Sequence, residues 1–242
     1  MNTCVCIFLV LLIQFAMPAS CYARSEETSE AATLTAWKNT AYQTAVGAEL
    51  VKILDTTNSI LKTNPKHRHA LYLRGYLYGI IGCTSSAIAD LSRAIDIDPN
   101  YAPAFTERGI CYMDLKNYQQ ARQDLERAIV LDPSSGDARF AHGKLMLELD
   151  KPSAAEGDFR ACQSSQLKFT PALPGELPAN YYNGPNYYLG VCEEALGRTD
   201  SALRLYKSSI KSGRLGGSGY IKRFSDQPLD ASTRVSRLEL GL

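Results

Sequence analysis

Through most of the chain, apolar side chains return at i, i+3, i+4 and i+7, the period of a helix that buries one face. The runs last about 14 residues and come in pairs, which predicts helix–turn–helix units. Proline marks their ends. Asp98-Pro99-Asn100 and Asp132-Pro133-Ser134 close helices, since proline cannot continue one and restricts the residue before it. Pro103 and Pro152 sit at helix starts, where a missing N–H costs nothing. A second period lies over the first. Gly75, Gly109 and Gly143 are 34 apart, as are Ala87, Ala121 and Ala155. The same step links Leu91, Leu125 and Phe159, then Ala94, Ala128 and Cys162, then Pro65, Pro99 and Pro133; it also joins Tyr78 to Tyr112. Glycine and alanine are expected where the two helices of a unit cross, because a larger side chain there would hold the backbones apart.

The segments LYLRGYLYGIIGCTSSAIADLSRAIDIDP and FTERGICYMDLKNYQQARQDLERAIVLDP carry this period most clearly. They resemble the tetratricopeptide repeat, whose signature is a large residue, Leu-Gly, Tyr, then Ala, a bulky residue and Pro. Phe105, Gly109, Tyr112, Ala121, Leu125, Ala128 and Pro133 fill it in the second segment. A third copy keeps Gly143, Ala155 and Phe159, with Met146 for Tyr and Leu167 for Pro. A fourth begins after an insertion, with Leu189-Gly190, Gly197, Ala202 and Tyr206 in register, Glu193 for Tyr and Ser209 for the last Ala. Trp37, Ala41 and Pro65 lie in register ahead of the first clear copy, in a stretch that otherwise departs from the pattern.

The resemblance implies an all-α, right-handed α-solenoid of stacked tetratricopeptide repeats, with a concave face made of first helices. The expected order is a degenerate N-terminal capping repeat over 34–67 and repeats over 68–101, 102–135 and 136–166. A Pro/Tyr-rich insertion follows over 167–182, then a repeat over 183–212 and a C-terminal tail over 213–242. Around the insertion, KFTPALPGELPANYYNGP favours extended backbone through its four prolines and clusters tyrosines near its end. In the tail, Asp230 to Leu240 fits a short capping helix.

Before each of the first three glycines stands a cation, Arg74, Arg108 or His142, and at one constant spacing after it an aspartate, Asp90, Asp124 or Asp158. In the fourth copy both positions are apolar, Leu189 and Leu205. The joint change predicts a contact between the two helices of one repeat, a structural ion pair rather than a row of cations lining a path.

The first residues differ from the rest. Residues 1–23 have no charged side chain, and Val5 to Phe15 read VCIFLVLLIQF. That core is too short to span a membrane and has the length of a secretory signal's apolar region. The expectation is a signal peptide over 1–23 and an exported protein, with the bacterial periplasm as the first choice. Pro18-Ala19-Ser20-Cys21 keeps a lipoprotein form open, and membrane anchoring is expected only if Cys21 is lipidated.

Composition narrows the function. The 242 residues hold 26 Lys+Arg against 25 Asp+Glu, a net charge of +1, which gives no footing for nucleic-acid binding. With 45% hydrophobic residues the chain can build a core. No metal motif, nucleophile elbow or phosphate loop is present; Gly213 to Gly219 reads GRLGGSG without the lysine a phosphate loop needs. No catalytic residue, cofactor, metal or small-molecule substrate is therefore expected. Cys83, Cys111, Cys162 and Cys192 follow the signal; they are either small core residues or, in an oxidising compartment, disulfide partners, with Cys162 and Cys192 the first pair to examine.

The resemblance supplies the binding surface, at fixed first-helix positions. In the first two clear copies these include His69, Tyr72, Tyr76, Ile80, Thr106, Ile110, Met113 and Asp114. In the last two they include Asp137, Phe140, Lys144, Leu147, Glu148, Tyr187, Val191 and Glu194. Tyr72, Tyr76, Ile110, Met113, Phe140, Lys144, Leu147, Tyr187 and Val191 are the expected partner contacts. An aromatic and aliphatic face suits a peptide or helix whose side chains are buried on a preformed surface. The expected function is a non-enzymatic scaffold or adaptor for a protein or peptide partner. An exported inhibitor of one toxic enzyme and an envelope assembly factor are the alternatives, with an enzyme as the alternative of a different class.

Overall fold

The structure, a computed structural model, describes residues 30, 32–36, 38, 45–163, 183–211 and 231–240. The expected signal over 1–23, the register positions Trp37 and Ala41, the Pro/Tyr-rich insertion over 167–182 and the glycine-rich start of the tail lie outside them. Among the described residues no helix is long and apolar enough to cross a membrane. The chain divides into two compact units, Met1–Leu115 and Lys116–Leu242. The division falls inside the second 34-residue copy, between its two helices.

The first unit holds helical residues 30, 32–36 and 38, then α1 (Ala45–Thr63), α2 (Arg68–Ile81), α3 (Thr84–Ile97) and α4 (Ala102–Asp114). Helix α1 packs on α2, α2 on α3, and α4 on both α3 and α2. The second unit holds α5 (Tyr118–Leu131), α6 (Gly136–Glu148), α7 (Pro152–Cys162), α8 (Asn183–Ala195), α9 (Thr199–Lys211) and α10 (Ala231–Glu239). Each of these packs on the next, and α8 also reaches α6.

The ends of the helices follow their residues. His67 caps α2, its imidazole accepting from the Ala70 N–H at 3.1 Å, and Ser135 caps α6 by accepting from Ala138 at 3.2 Å. Pro103 and Pro152 stand in the first turns of α4 and α7. Asp98 and Asp132 stop α3 and α5, and their carboxylates accept from Asn100 and Ser134 N–H, both at 3.0 Å. One expectation is corrected at the insertion. Asn183-Gly184-Pro185, at the end of the proline-rich stretch, forms the first turn of α8, where proline's missing donor has no intrahelical acceptor to lose.

The recurring glycines mark close helix crossings. A Cβ on Gly75 would lie 2.8 Å from Leu91 Cγ; on Gly143, 2.9 Å from Phe159 Cζ; on Gly190, 2.5 Å from Tyr206 Cε1. In each case the large side chain follows its glycine at the same spacing along the chain. The residues just ahead of two of these glycines pair at that spacing too. Arg74 grips Asp90 with two donors, Nε to Oδ2 at 2.6 Å and Nη2 to Oδ1 at 2.8 Å, while Nη1 reaches Asn58 Oδ1 of α1 at 2.9 Å. His142 Nδ1 lies 2.6 Å from Asp158 Oδ2. These aspartates are buried. Arg108 donates to Ser92 Oγ at 3.0 Å, so it too reaches back to the helix before its own.

The described cysteines are core residues. Cys83, Cys111, Cys162 and Cys192 lie buried as unbridged thiols, so Cys162 and Cys192 are not joined. Burial pushes the thiols of Cys162 and Cys192 up to about 12.

The ion pair and the thiols can each be tested. Arg74→Leu leaves Asp90 buried beside Arg93, at 3.5 Å, and without its two-donor partner, and should cost about 3 kcal/mol of stability. Arg74→Leu with Asp90→Leu should recover at least about 1 kcal/mol of that in urea titrations; additive losses would disprove the pairing. Native protein treated with a thiol reagent at about pH 8 should leave Cys162 and Cys192 unmodified by peptide mapping, because the reactive thiolate is scarce. Guanidinium should expose both.

Candidate functional site

The expected partner contacts separate by depth. Tyr76, Ile110 and Phe140 are 0%, 1% and 1% exposed, so they offer a partner no surface; this corrects their assignment as anchors. The reason is clearest at Phe140. Its ring meets Phe159 of α7 edge-on at 5.5 Å and Tyr188 of α8 at 5.4 Å, while Phe159 and Tyr188 stack at 5.3 Å. The three rings fill the space between helices of successive pairs. Tyr72 and Tyr187 are nearly buried, with an edge remaining. Met113, Lys144, Leu147 and Val191 are half-buried and keep surface to offer. Lys144 Nζ stands 5.2 Å from the centre of the Tyr188 ring.

In the first unit the N-terminal ends of α2 and α4 meet in an aromatic edge. Tyr72 meets Tyr101 in a T-shaped contact at 5.4 Å, and His69 lies 6.0 Å from Tyr72. His69 Nδ1 is 3.3 Å from the Tyr101 hydroxyl. The Arg68 guanidinium covers the other part of Tyr101 at 4.4 Å and pairs with Asp98. His69 is exposed, yet desolvation, helped by His67 and Arg68, holds its imidazole below the usual histidine value. Burial raises the Tyr101 hydroxyl, with Asp98 adding to it against Arg68. At neutral pH the edge therefore presents a neutral imidazole, a protonated phenol and a guanidinium. The periodic first-helix positions do not include Arg68 and Tyr101. Tyr101 is the N-cap residue of α4 and falls outside the helix, although its 34-residue counterparts, His67 and Ser135, are also N-caps.

In the second unit the C-terminal helix already covers expected contacts of the last pair. Arg234 of α10 donates to Glu194 at 2.6 Å, and its guanidinium stands 6.0 Å from the Tyr187 ring centre and 5.8 Å from that of Tyr206. Arg237 also pairs with Glu194. Tyr206 donates its hydroxyl to Glu194 at 2.7 Å. Burial works to raise the Glu194 carboxyl, and the hydrogen bonds from Tyr206 and Arg234 outweigh it, holding the group below the usual carboxylate range. Arg234 is not among the sequence candidates, since nothing in helical periodicity links it to a residue so far back along the chain. Among the described residues no group of three or more His, Cys, Asp or Glu side chains is placed to hold a metal ion.

These helix pairs match known proteins at two levels. Residues 69–101 and 102–135 each match a family model described as tetratricopeptide repeat. The architecture also resembles solved structures. A tetratricopeptide protein of Thermus thermophilus, TTC0263, aligns at 18% identity with a TM-score of 0.56, covering 87% of this chain and 99% of its own. MamA aligns at 19% identity and a TM-score of 0.54, covering 79% and 96%. YrrB, described as a tetratricopeptide protein with an unusual peptide-binding site, aligns at 16% and 0.53, covering 76% and 92%. No curated protein sequence matches the chain. The two adjoining matches make residues 69–135 a pair of tetratricopeptide repeats, within a chain whose described helices stack in pairs as an all-α fold.

Proposed function

We propose that the protein is a non-enzymatic scaffold that holds a protein or peptide segment, and that the first unit takes it along the first-helix side of α2 and α4. The observation that carries this is the edge of His69, Tyr72, Tyr101 and Arg68. Two of its members, His69 and Arg68, are exposed, and Tyr101 is half-buried, so they form a preformed amphipathic surface without filling the core. Aromatic rings flanked by a guanidinium suit a partner that buries an apolar anchor and accepts a hydrogen bond beside it. Met113, farther along α4, adds an adaptable apolar contact. The peptide-binding site for which YrrB is described supports the reading by analogy of fold.

The place of action belongs to the same proposal. The absence of charged side chains over 1–23, around an apolar run from Val5 to Phe15, supports export, with the periplasm as the compartment. Cleavage before Arg24 gives the soluble form, and a lipid on Cys21 gives the anchored one.

Crosslinking of the tagged full-length protein in its native cells, followed by mass spectrometry, tests both parts. A stoichiometric protein partner should appear, and capture should fall about tenfold in His69→Glu with Met113→Glu, which alters surface-reaching side chains and should leave the melting temperature within about 3 °C. Capture unchanged by that variant would remove the partner from this face. The mature N-terminus should be Arg24 or a modified Cys21; an intact residue 1 would overturn export.

A further inference from the structure

Helix α10 packs on α9. Of its nine residues only Ala231 is fully buried; Arg234, Val235 and Leu238 are half-buried. So short a helix does not persist without packing. Beside this small apolar contact, its polar contacts gather on one residue. Glu194 accepts from Arg234, from Arg237 one turn later and from the Tyr206 hydroxyl, which also lies 3.3 Å from Arg234 Nη1. An outer pair, Lys207 with Glu239 at 2.7 Å, is exposed. The receiving groups all belong to α8 and α9: a carboxylate, a phenol hydroxyl and two tyrosine rings that flank a guanidinium. That combination is chemistry for recognising arginine, through charge-assisted hydrogen bonds and cation–π contact. The Tyr206 ring is seated against Gly190, a contact made within α8 and α9 alone.

We propose that the face around Glu194, Tyr187 and Tyr206 is a docking site for a partner helix carrying two arginines one turn apart, and that α10 fills it in cis as a displaceable latch. The site is separate from the first-unit edge and rests on the protein-binding function only in that a partner exists to compete. Because α10 belongs to the same chain as α9, it competes intramolecularly, so an external helix binds weakly until the latch is weakened. The two exposed-side contacts, Arg237 and Lys207, weaken with salt.

The test uses a fluorescent peptide of residues 229–242 as the probe and the full chain as receptor, read by anisotropy. Arg234→Ala with Arg237→Ala in the receptor should raise peptide affinity at least about tenfold over the unaltered chain by removing the cis competitor. Adding Glu194→Gln should return it to the unaltered level or below, and a peptide with both arginines changed to alanine should not bind. Equal affinity for the unaltered and latch-free chains, or no binding to a latch-free chain with native circular dichroism, would overturn the proposal. Hydrogen exchange of the unaltered chain gives an independent readout. Amides of 231–239 should exchange at least about tenfold faster than those of α8 and α9, and faster again with saturating peptide. Exchange of 231–239 only with the whole unit would mark a permanent cap and overturn it, as would a dimer that exchanges α10 between copies. The first-unit variant His69→Glu with Met113→Glu should leave all these values unchanged, so failure here and failure of the first-unit site are told apart.

Discussion

A glycine facing a large side chain on the following helix is the contact on which the pairs α2–α3, α6–α7 and α8–α9 depend. Gly75 with Leu91, Gly143 with Phe159 and Gly190 with Tyr206 leave no space for even a methyl group between the backbones. The close crossing carries its neighbours with it. In two pairs the residue before the glycine meets the residue before the bulky partner, and a basic side chain and an aspartate stand there, Arg74 with Asp90 and His142 with Asp158. Burying an aspartate is costly unless its oxygens are held, so at these two crossings the buried carboxylate depends on its partner. The same crossing also builds the surface. Tyr206 is fixed by Gly190, and its hydroxyl thereby meets Glu194 at the outer end of α8.

The last pair shows what replaces the ion pair when its positions turn apolar. Leu189 is buried where the earlier copies have Arg or His. The buried acid shifts to Glu193, 1% exposed, at the position of the signature tyrosine. It is met by Arg160 of the preceding pair at 2.8 Å and by Arg198 at 3.5 Å, and both arginines also hold Glu156. A link within one pair has become a link between two pairs. This strengthens the junction that the insertion interrupts, since α7 and α8 are separated by the whole of that insertion and still pack directly.

Much of this was legible because it is local and periodic. The 34-residue step located the crossings, and the paired change at Leu189 and Leu205 pointed to the ion pairs without any coordinates. The candidate site was less legible. A repeat position tells which side of a helix a residue occupies, but not how deep it lies. Phe140 sits on the expected side and is still covered, because Tyr188 of the following copy is large and stacks on Phe159. Tyr101 and Arg68 escape the pattern because they lie at helix ends, where the periodic face gives way to capping geometry. Pro185 reads as extended backbone by composition, whereas in a first turn proline is compatible with helix. Arg234 meets Glu194 through a contact between sequence-distant helices, and periodicity carries no information on such partners.

The polar contacts at the two ends share a physical logic. A short terminal helix has little apolar surface to bury, so charge does more of the holding. At one end Glu30 reaches the start of α3, where its carboxylate accepts from the Ser85 and Ser86 N–H groups at 2.8 and 3.2 Å and from Ser86 Oγ at 2.5 Å. Cys83, the N-cap there, makes no side-chain cap of its own, so a carboxylate from far back in the chain satisfies the orphan donors and the positive helix end. At the other end Arg234 and Arg237 converge on Glu194. The two differ in what lies beneath the charge. Glu30 satisfies main-chain donors that would otherwise be unpaired, and its loss exposes only a helix end. Glu194 gathers side chains, and everything it gathers from α10 can be offered again by another helix of the same pattern.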